Sequence, residues 1–318
     1  MSKLMAPGGT MQMAYSVLEE GADAVYVGVL GWSRRGSDVE LKDEEIKDLV
    51  AFAETKGKEV RVVLNTMPSS MEVPLLLKKV DRYIGWGVSG FMISDVGCMV
   101  QVRKHFPEIA IHVSVGTGLT NAEDVKYYKD MGATYVILPY RMWLDDVKAI
   151  KRTIDVGLEI FLFRTDTQGG IICPGKCTMS SYFRFKRWVD DEGKDYFYGS
   201  ANRGGDCLRI CQIGWEVATD GQPLSKRAIL KGNPRLWFHE LTDYIKAGVE
   251  YFKVPGRDRS DVLVRDIVRF YRKVVDEIRA SQDRFSPEKY LPELEELKKR
   301  WATERNRRDD RLVARAKA

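Results

Sequence analysis

Long apolar runs are missing from this 318-residue chain. No stretch reaches the roughly 18 residues a membrane helix requires, which excludes a helical span. Residues 1–9 lack a basic segment followed by an apolar one, so no secretory leader is expected and the cytoplasm is the expected compartment. Histidine is scarce, with only His105, His112 and His239 present. No HExxH zinc-protease motif can be written with them, and no Ser–His–Asp or Cys–His arrangement stands out. Neither sign of charge dominates: 51 Lys and Arg face 46 Asp and Glu, a net +5. That balance permits an anionic substrate or RNA without demanding one. Hydrophobic content of 44% and charged content of 31% are ordinary for a globular protein. The length admits one large domain or two smaller ones.

Cysteine is sparse but placed in a pattern. Four of the five cysteines form two pairs, Cys173 with Cys177 and Cys207 with Cys211, each leaving three residues between its sulfurs. In a reducing compartment such clusters read as metal ligands or redox groups rather than disulfides. Four thiolates that converge make a cage for a soft metal centre. Pro174 and Gly175, then Gly204 and Gly205, allow the tight turns such a cage requires. The spacing suits a four-cysteine zinc site and a [4Fe–4S] cluster alike, and taken alone it favours zinc. Cys98 stands apart after a strand and reads as a small buried hydrophobe.

Short β-branched runs alternate with longer amphipathic stretches. Strands are expected at 3–6, 24–29, 59–65, 90–94, 109–114, 135–139, 158–164 and 251–255. Helical patterns lie between them, at 11–20, 43–56, 72–85, 122–131 and 144–152. This alternation implies βα units with parallel pairing. Gly21, Gly87, Gly132 and Gly248 each precede a strand, where glycine suits the left-handed residue that ends a helix. Eight such units predict a (β/α)8 TIM-like barrel. Residues 169–230 break the rhythm and hold all the paired cysteines, so they read as an insertion after strand seven, at the active-site face of a barrel. The domain expected is thus 1–260, with its insert, followed by C-terminal helices and a basic tail over 261–318. Residues 262–280 are strongly amphipathic, and Ser286-Pro287-Glu288 reads as a helix start. The last stretch, 297–318, reads as a solvated or frayed tail, with an RNA or partner contact as the alternative.

Gly175-Lys176-Cys177-Thr178-Met179-Ser180 and the upstream Glu159-Ile160-Phe161 resemble the signature of the peptidase U32 family. Further likenesses are Leu4-Met5-Ala6-Pro7-Gly8-Gly9, the run from Gly21 to Gly28, His112-Val113-Ser114 with Thr120-Asn121, Asn202-Arg203-Gly204 with Cys207 and Cys211, and Lys253 with Gly256-Arg257. The resemblance spans roughly residues 3–275. It implies an iron–sulfur protein carrying a [4Fe–4S] cluster, and zinc stays the alternative that the spacing offers. It also implies oxygen-independent hydroxylation of the ubiquinone ring, or of a base in transfer or ribosomal RNA, with prephenate required by some members. Other members are described as collagenase-like peptidases. Cys177, Cys207 and Cys211 match the family's cysteines. Its first cysteine stands about three residues earlier, at Gly170 here, and Cys173 is taken as the fourth ligand.

Other departures concern the substrate. Phe163-Arg164 replaces the family's His-Gly, Tyr140-Arg141 replaces an Arg-Glu, and Pro255 stands where a glutamate is usual. Arg141 and Arg164 make the mouth more cationic, so a carboxylate or phosphate ligand is expected there. Arg34 and Arg35, and Lys253 and Arg257 beside strand eight, are further candidates to bind substrate. His112, Asn65 and Asp95 are the catalytic candidates, because barrel strands and their ends aim at the site. A satisfied core imidazole and helix or turn caps are the competing roles. The run from Tyr182 to Trp188 interleaves bases with aromatics, a pattern that stacks on nucleic acid or simply covers the metal loop. The function expected is an iron–sulfur hydroxylase of a small aromatic or heteroaromatic substrate with a carboxylate in the mouth. RNA is a candidate partner, as is a homo- or heterodimer. The alternatives are an RNA- or partner-binding module with a structural metal and, more weakly, a peptidase.

Overall fold

A computed structural model describes residues 2–139, 142–164, 187–197, 200–205, 214–215, 218–223, 228–229, 235–236, 240–280 and 284–317. Seven strands run in chain order: β1 (Lys3–Gly8), β2 (Ala24–Gly28), β3 (Glu59–Leu64), β4 (Gly90–Ile93), β5 (Ala110–Val113), β6 (Tyr135–Ile137) and β7 (Gly157–Phe161). Short strands follow: β8 (Phe163–Arg164), β9 (Arg187–Val189), β10 (Asp195–Phe197), β11 (Gly214–Trp215), β12 (Ala218–Thr219), β13 (Gln222–Pro223), β14 (Ala228–Ile229) and β15 (Arg235–Leu236). Then comes β16 (Tyr251–Lys253). β16 enters between β7 and β1, and the eight strands β1–β7 and β16 close a fully parallel barrel. The expected (β/α)8 architecture is the observed one. The expected seventh strand is shorter than its pattern: β7 ends at Phe161, and β8 turns away to pair antiparallel with β15.

Helices cover the outside: α1 (Met11–Glu19), α2 (Asp43–Thr55), α3 (Val73–Trp86), α4 (Val96–His105), α5 (Ala122–Asp130), α6 (Leu144–Thr153), α7 (Leu241–Lys246), α8 (Asp261–Ala280) and α9 (Leu291–Lys317). Gly21, Gly87, Gly132 and Gly248 take φ between 84° and 104°, the left-handed conformation that turns a helix end back toward a strand. α8 buries Leu263, Val264, Ile267, Val268, Tyr271, Val274, Val275 and Ile278. Their three- and four-residue spacing makes one apolar stripe, and each side chain so buried stabilises by roughly 1.5–3 kcal/mol. This stripe lies against α1 and β1. α8 therefore completes the eighth βα unit, and a boundary before residue 261 would cut that unit in two. α9 is helical through Lys317, with its described side chains beyond Trp301 unburied. No described helix is long and apolar enough to cross a membrane.

Candidate active site at the barrel mouth

Strand side chains alternate between faces. In β3, β5, β7 and β16 the inward positions carry Glu59 and Arg61, His112, Glu159, and Tyr251 and Lys253. These groups meet inside the barrel as one ladder. Lys3 pairs with Glu59, whose other oxygen accepts from Arg61 Nη2 at 2.7 Å and from the Tyr251 hydroxyl at 2.7 Å. Arg61 Nε donates to His112 Nε2 at 3.1 Å, and His112 Nδ1 donates to Glu159 Oε2 at 2.8 Å. Glu159 Oε1 accepts from Lys253 Nζ at 2.7 Å. Since Arg61 can only donate, His112 must be the neutral tautomer with its proton on Nδ1. Burial lowers the pKa of His112, and the Arg61 and Lys253 charges add to this against the pull of Glu159. Burial alone would raise Glu159, but Lys253 and His112 outweigh it and hold the carboxyl at about 2.

His112 is thus fully buried with both ring nitrogens committed. Its Nδ1 holds Glu159, which in turn holds Lys253. The other two catalytic candidates are also accounted for locally. Asp95 caps α4 by accepting from the Cys98 amide at 2.9 Å. Asn65 accepts from the Arg34 amide at 3.0 Å and so fixes the loop after β2. Cys98 is buried in the core, and burial followed by the nearby Asp95 pushes its thiol pKa up.

At the C-terminal end of the strands the ladder opens into a cationic mouth. Lys253 Nζ lies 4.2 Å from the centroid of the Tyr26 ring and 5.7 Å from that of Phe161, and touches Met92 Sδ at 3.2 Å. The pKa of Lys253 is lowered by burial, against the opposing effect of Glu159. Arg257, also buried, donates from Nη1 to Ser33 Oγ at 3.1 Å, and its guanidinium lies 5.9 Å from the Tyr26 ring. Its pKa is lowered first by burial and then by the neighbouring Arg35 charge. Glu40 accepts from the Ser33 hydroxyl, from the Gly31 amide at 3.0 Å and from the Arg35 amide at 3.3 Å. Burial prevails over those donors and the Arg257 charge, and Glu40 is raised to about 7. Two glycines make the room. A Cβ on Gly9 would stand 1.9 Å from the Arg257 carbonyl oxygen, and one on Gly28 would stand 2.0 Å from Arg257 Nη1.

The described residues 187–197 and 200–205 of the insert lie against the loops after β2 and β3. Lys194 is buried between the rings of Trp32 and Tyr196, at 5.1 and 5.0 Å, and donates to Glu72 Oε1 at 2.7 Å. Glu72 Oε2 accepts from Arg203 Nη2 at 2.6 Å. Burial would raise Glu72, but Lys194 and the surrounding donors hold it at about 2. The Met67 amide donates to Asn202 O at 2.8 Å, and Arg203 Nη1 donates to Met67 O at 2.6 Å. These bonds pin residues 200–205 beside the loop after β3, just before Cys207. Cys173, Cys177, Cys207 and Cys211 themselves, with Arg141 and the Arg164 side chain, lie outside the described residues. Among the described residues no cluster of His, Cys, Asp or Glu could hold a metal. A shallow cleft lined by Arg103, Thr134, Gly157 and Glu250 lies at the opposite end of the barrel.

Of the expected site residues, the structure brings Lys253 and Arg257 together and leaves Asp95 outside their hydrogen-bond network. Glu40 and Ser33 were not singled out from the sequence, Tyr26 and Glu159 were named there only within motifs of the family resemblance and without a role, and Arg61 was not named. A signal for Glu159 and Arg61 exists: Glu159 is the one charge in apolar β7, and Arg61 shares the inward face of an otherwise apolar β3 with Glu59. Glu40 left no such mark, because a loop delivers it.

The chain resembles characterised proteins over most of its length. It is 27% identical to "tRNA hydroxylation protein P" of Escherichia coli (strain K12), across 88% of this chain and 69% of the relative. It is 28% identical to "23S rRNA 5-hydroxycytidine C2501 synthase" of the same organism, across 87% of this chain but 39% of that one. Among solved structures, a U32 peptidase superposes with a TM-score of 0.54 at 12% identity, covering 82% of this chain and 95% of its own. That likeness supports the barrel fold alone. The profile of peptidase family U32 matches residues 9–310, and the protein belongs to that family.

Proposed function

We propose that the protein hydroxylates a base in RNA without molecular oxygen, using a [4Fe–4S] cluster held over the barrel mouth and a carboxylate-bearing small molecule bound within it. The observation that carries this reading is a buried cationic mouth in a chain akin, over most of its length, to proteins named for tRNA and rRNA hydroxylation. A nucleobase is heteroaromatic, so these relatives narrow the aromatic substrate expected from the sequence. The metal ligands would be Cys173, Cys177, Cys207 and Cys211. Four thiols with no histidine among them suit iron–sulfur chemistry as well as zinc, and the pinning of residues 200–205 favours a position over the mouth. A cluster so held would supply electron transfer.

The protein's own groups would do the rest. Arg257 presents a planar fork to a carboxylate, with Lys253 adding charge from below. Tyr26 and Phe161 wall the space around Lys253 and suit a flat ring. Glu40, titrating at about 7 beside Ser33 and Arg257, could take up or release a proton at the mouth under ordinary conditions. A peptidase reading gains nothing from the two histidines among the described residues, since His112 is committed on both nitrogens and exposed His105 binds the Gln101 carbonyl.

Anaerobic purification with iron, sulfide and zinc analysis tests the metal. Mass spectrometry of nucleosides from cells with and without the protein tests the reaction. Cys177→Ala should lose both cluster and modified nucleoside, whereas Arg257→Met should keep the cluster and lose the modification. Zinc in place of iron, or a modified nucleoside that persists in Cys177→Ala, would overturn the proposal.

A further inference from the structure

We infer that the distal half of α9 is an RNA-docking arm that grips the phosphate backbone while the base enters the mouth, an inference that rests on the RNA reading above. The charge of the chain is segregated. From Lys298 onward nine Lys and Arg face three Asp and Glu, a net +6. The 297 residues before it hold 42 basic and 43 acidic side chains, a net −1. The whole excess of positive charge therefore sits in one terminal segment, and that segment is a helix rather than a loose tail.

α9 packs against α8 and passes β15, and beyond Trp301 none of its described side chains is buried. Trp301 is the last buried residue of α9 that is described, capped by Arg259 at 4.4 Å from its ring. Sixteen helical residues follow, about 24 Å of helix, and none of those whose side chains are described is buried. Near its root the helix is tied down: Arg300 pairs with Asp266 at 2.9 Å, and Glu304 accepts from the Ser260 amide at 2.9 Å. Beyond that, Arg307 and Arg311 make no ion pair among the described residues. With Arg300 they recur at helical spacing on one face, and the sequence adds Arg308 and Arg315 close by. Helix-dipole compensation does not account for them, because it fades within the last turn and Arg307 lies more than two turns from Lys317.

Composition selects the partner. After Trp301 the arm has only Leu312 and Val313 as large apolar residues, too few to bury against a protein surface. Exposed arginines along a rigid rod match a polyanion instead.

The experiment uses the full chain, prepared anaerobically, and a fluorescently labelled unmodified tRNA transcript as the probe. Affinity is measured from 50 to 300 mM KCl for the native chain and for R307Q/R308Q/R311Q. Each lost phosphate contact removes about 0.7–0.9 from the slope of log K against log salt. The variant should thus show a slope shallower by about 2 and an affinity at 0.1 M KCl about a hundredfold lower. Circular dichroism and the cluster absorbance should be unchanged. An unaltered slope overturns the inference, and so does a change in oligomeric state with RNA binding intact, which would assign the arm to a protein partner. Nucleoside analysis separates the two readings. RNA modification that depends on the protein, together with an unaltered slope, sinks the arm alone; a reduced slope with no dependent nucleoside sinks the substrate alone.

Discussion

The Glu159–Lys253 pair gives the sharpest test of how the barrel holds its mouth. Both side chains are sealed from solvent, at 0% and 5% exposure, with 2.7 Å between them. Removing one partner of such a pair strands a buried charge, at a cost of roughly 3–5 kcal/mol. Each stranded group has an escape. In Glu159→Gln, Lys253 can release its proton, which at pH 7.5 costs about 4 kcal/mol from an ordinary lysine pKa. In Lys253→Met, Glu159 can take up a proton at a similar cost of about 4 kcal/mol. The double variant leaves no unpaired charge and keeps an acceptor for His112, so it should cost only about 1–2 kcal/mol. The singles are then strongly non-additive, with a coupling of at least about 3 kcal/mol.

The two singles should also diverge with pH. The penalty of Glu159→Gln shrinks as pH rises toward the lysine range, because deprotonation becomes free. That of Lys253→Met shrinks as pH falls toward the carboxylate range. In the native chain Glu159, held at about 2, contributes stability that is complete above the ordinary glutamate pKa and is lost as pH falls through about 2. Urea unfolding at pH 5.5, 7.5 and 9 measures all of this. Additive singles, or two penalties that move with pH in the same direction, would refute the buried-pair account.

Two further perturbations probe the mouth. Gly9→Ala places a methyl 1.9 Å from the Arg257 carbonyl oxygen, so backbone must move, at roughly 1–3 kcal/mol; thermal unfolding that matches the native chain would show that Arg257 is not held as described. Glu40 is raised to about 7 by burial, so the stability tied to it is greatest below the ordinary glutamate pKa and falls as pH rises to about 7. Glu40→Gln should remove that slope, gaining up to about 3 kcal/mol relative to the native chain across the window, less the hydrogen bonds it disturbs; stability curves that stay parallel between pH 4.5 and 7 would count against a raised Glu40.

The alternation of β-branched runs with amphipathic stretches determined the barrel, because strand and helix periodicities are local properties of the chain. The same holds for the glycine turns at Gly21, Gly87, Gly132 and Gly248, where φ near +100° is a demand of the single residue. The family was legible too, in the motifs around Cys177, Cys207 and Lys253. What the sequence could not decide was which charges meet. Glu159, His112, Arg61 and Lys253 come from four strands up to 192 residues apart in chain position, and their pairing is set by barrel closure and register. For His112 the sequence left a catalytic candidate and a satisfied core imidazole both open, and barrel register gives both its ring nitrogens partners. Glu40 and Ser33 meet within the loop after β2, and Arg257 joins them only because that loop and the one after β16 converge over one rim. Local pattern fixes the kind of element each segment forms; long-range packing chooses the dielectric and the partners, and these decide which ionisable groups keep their ordinary chemistry.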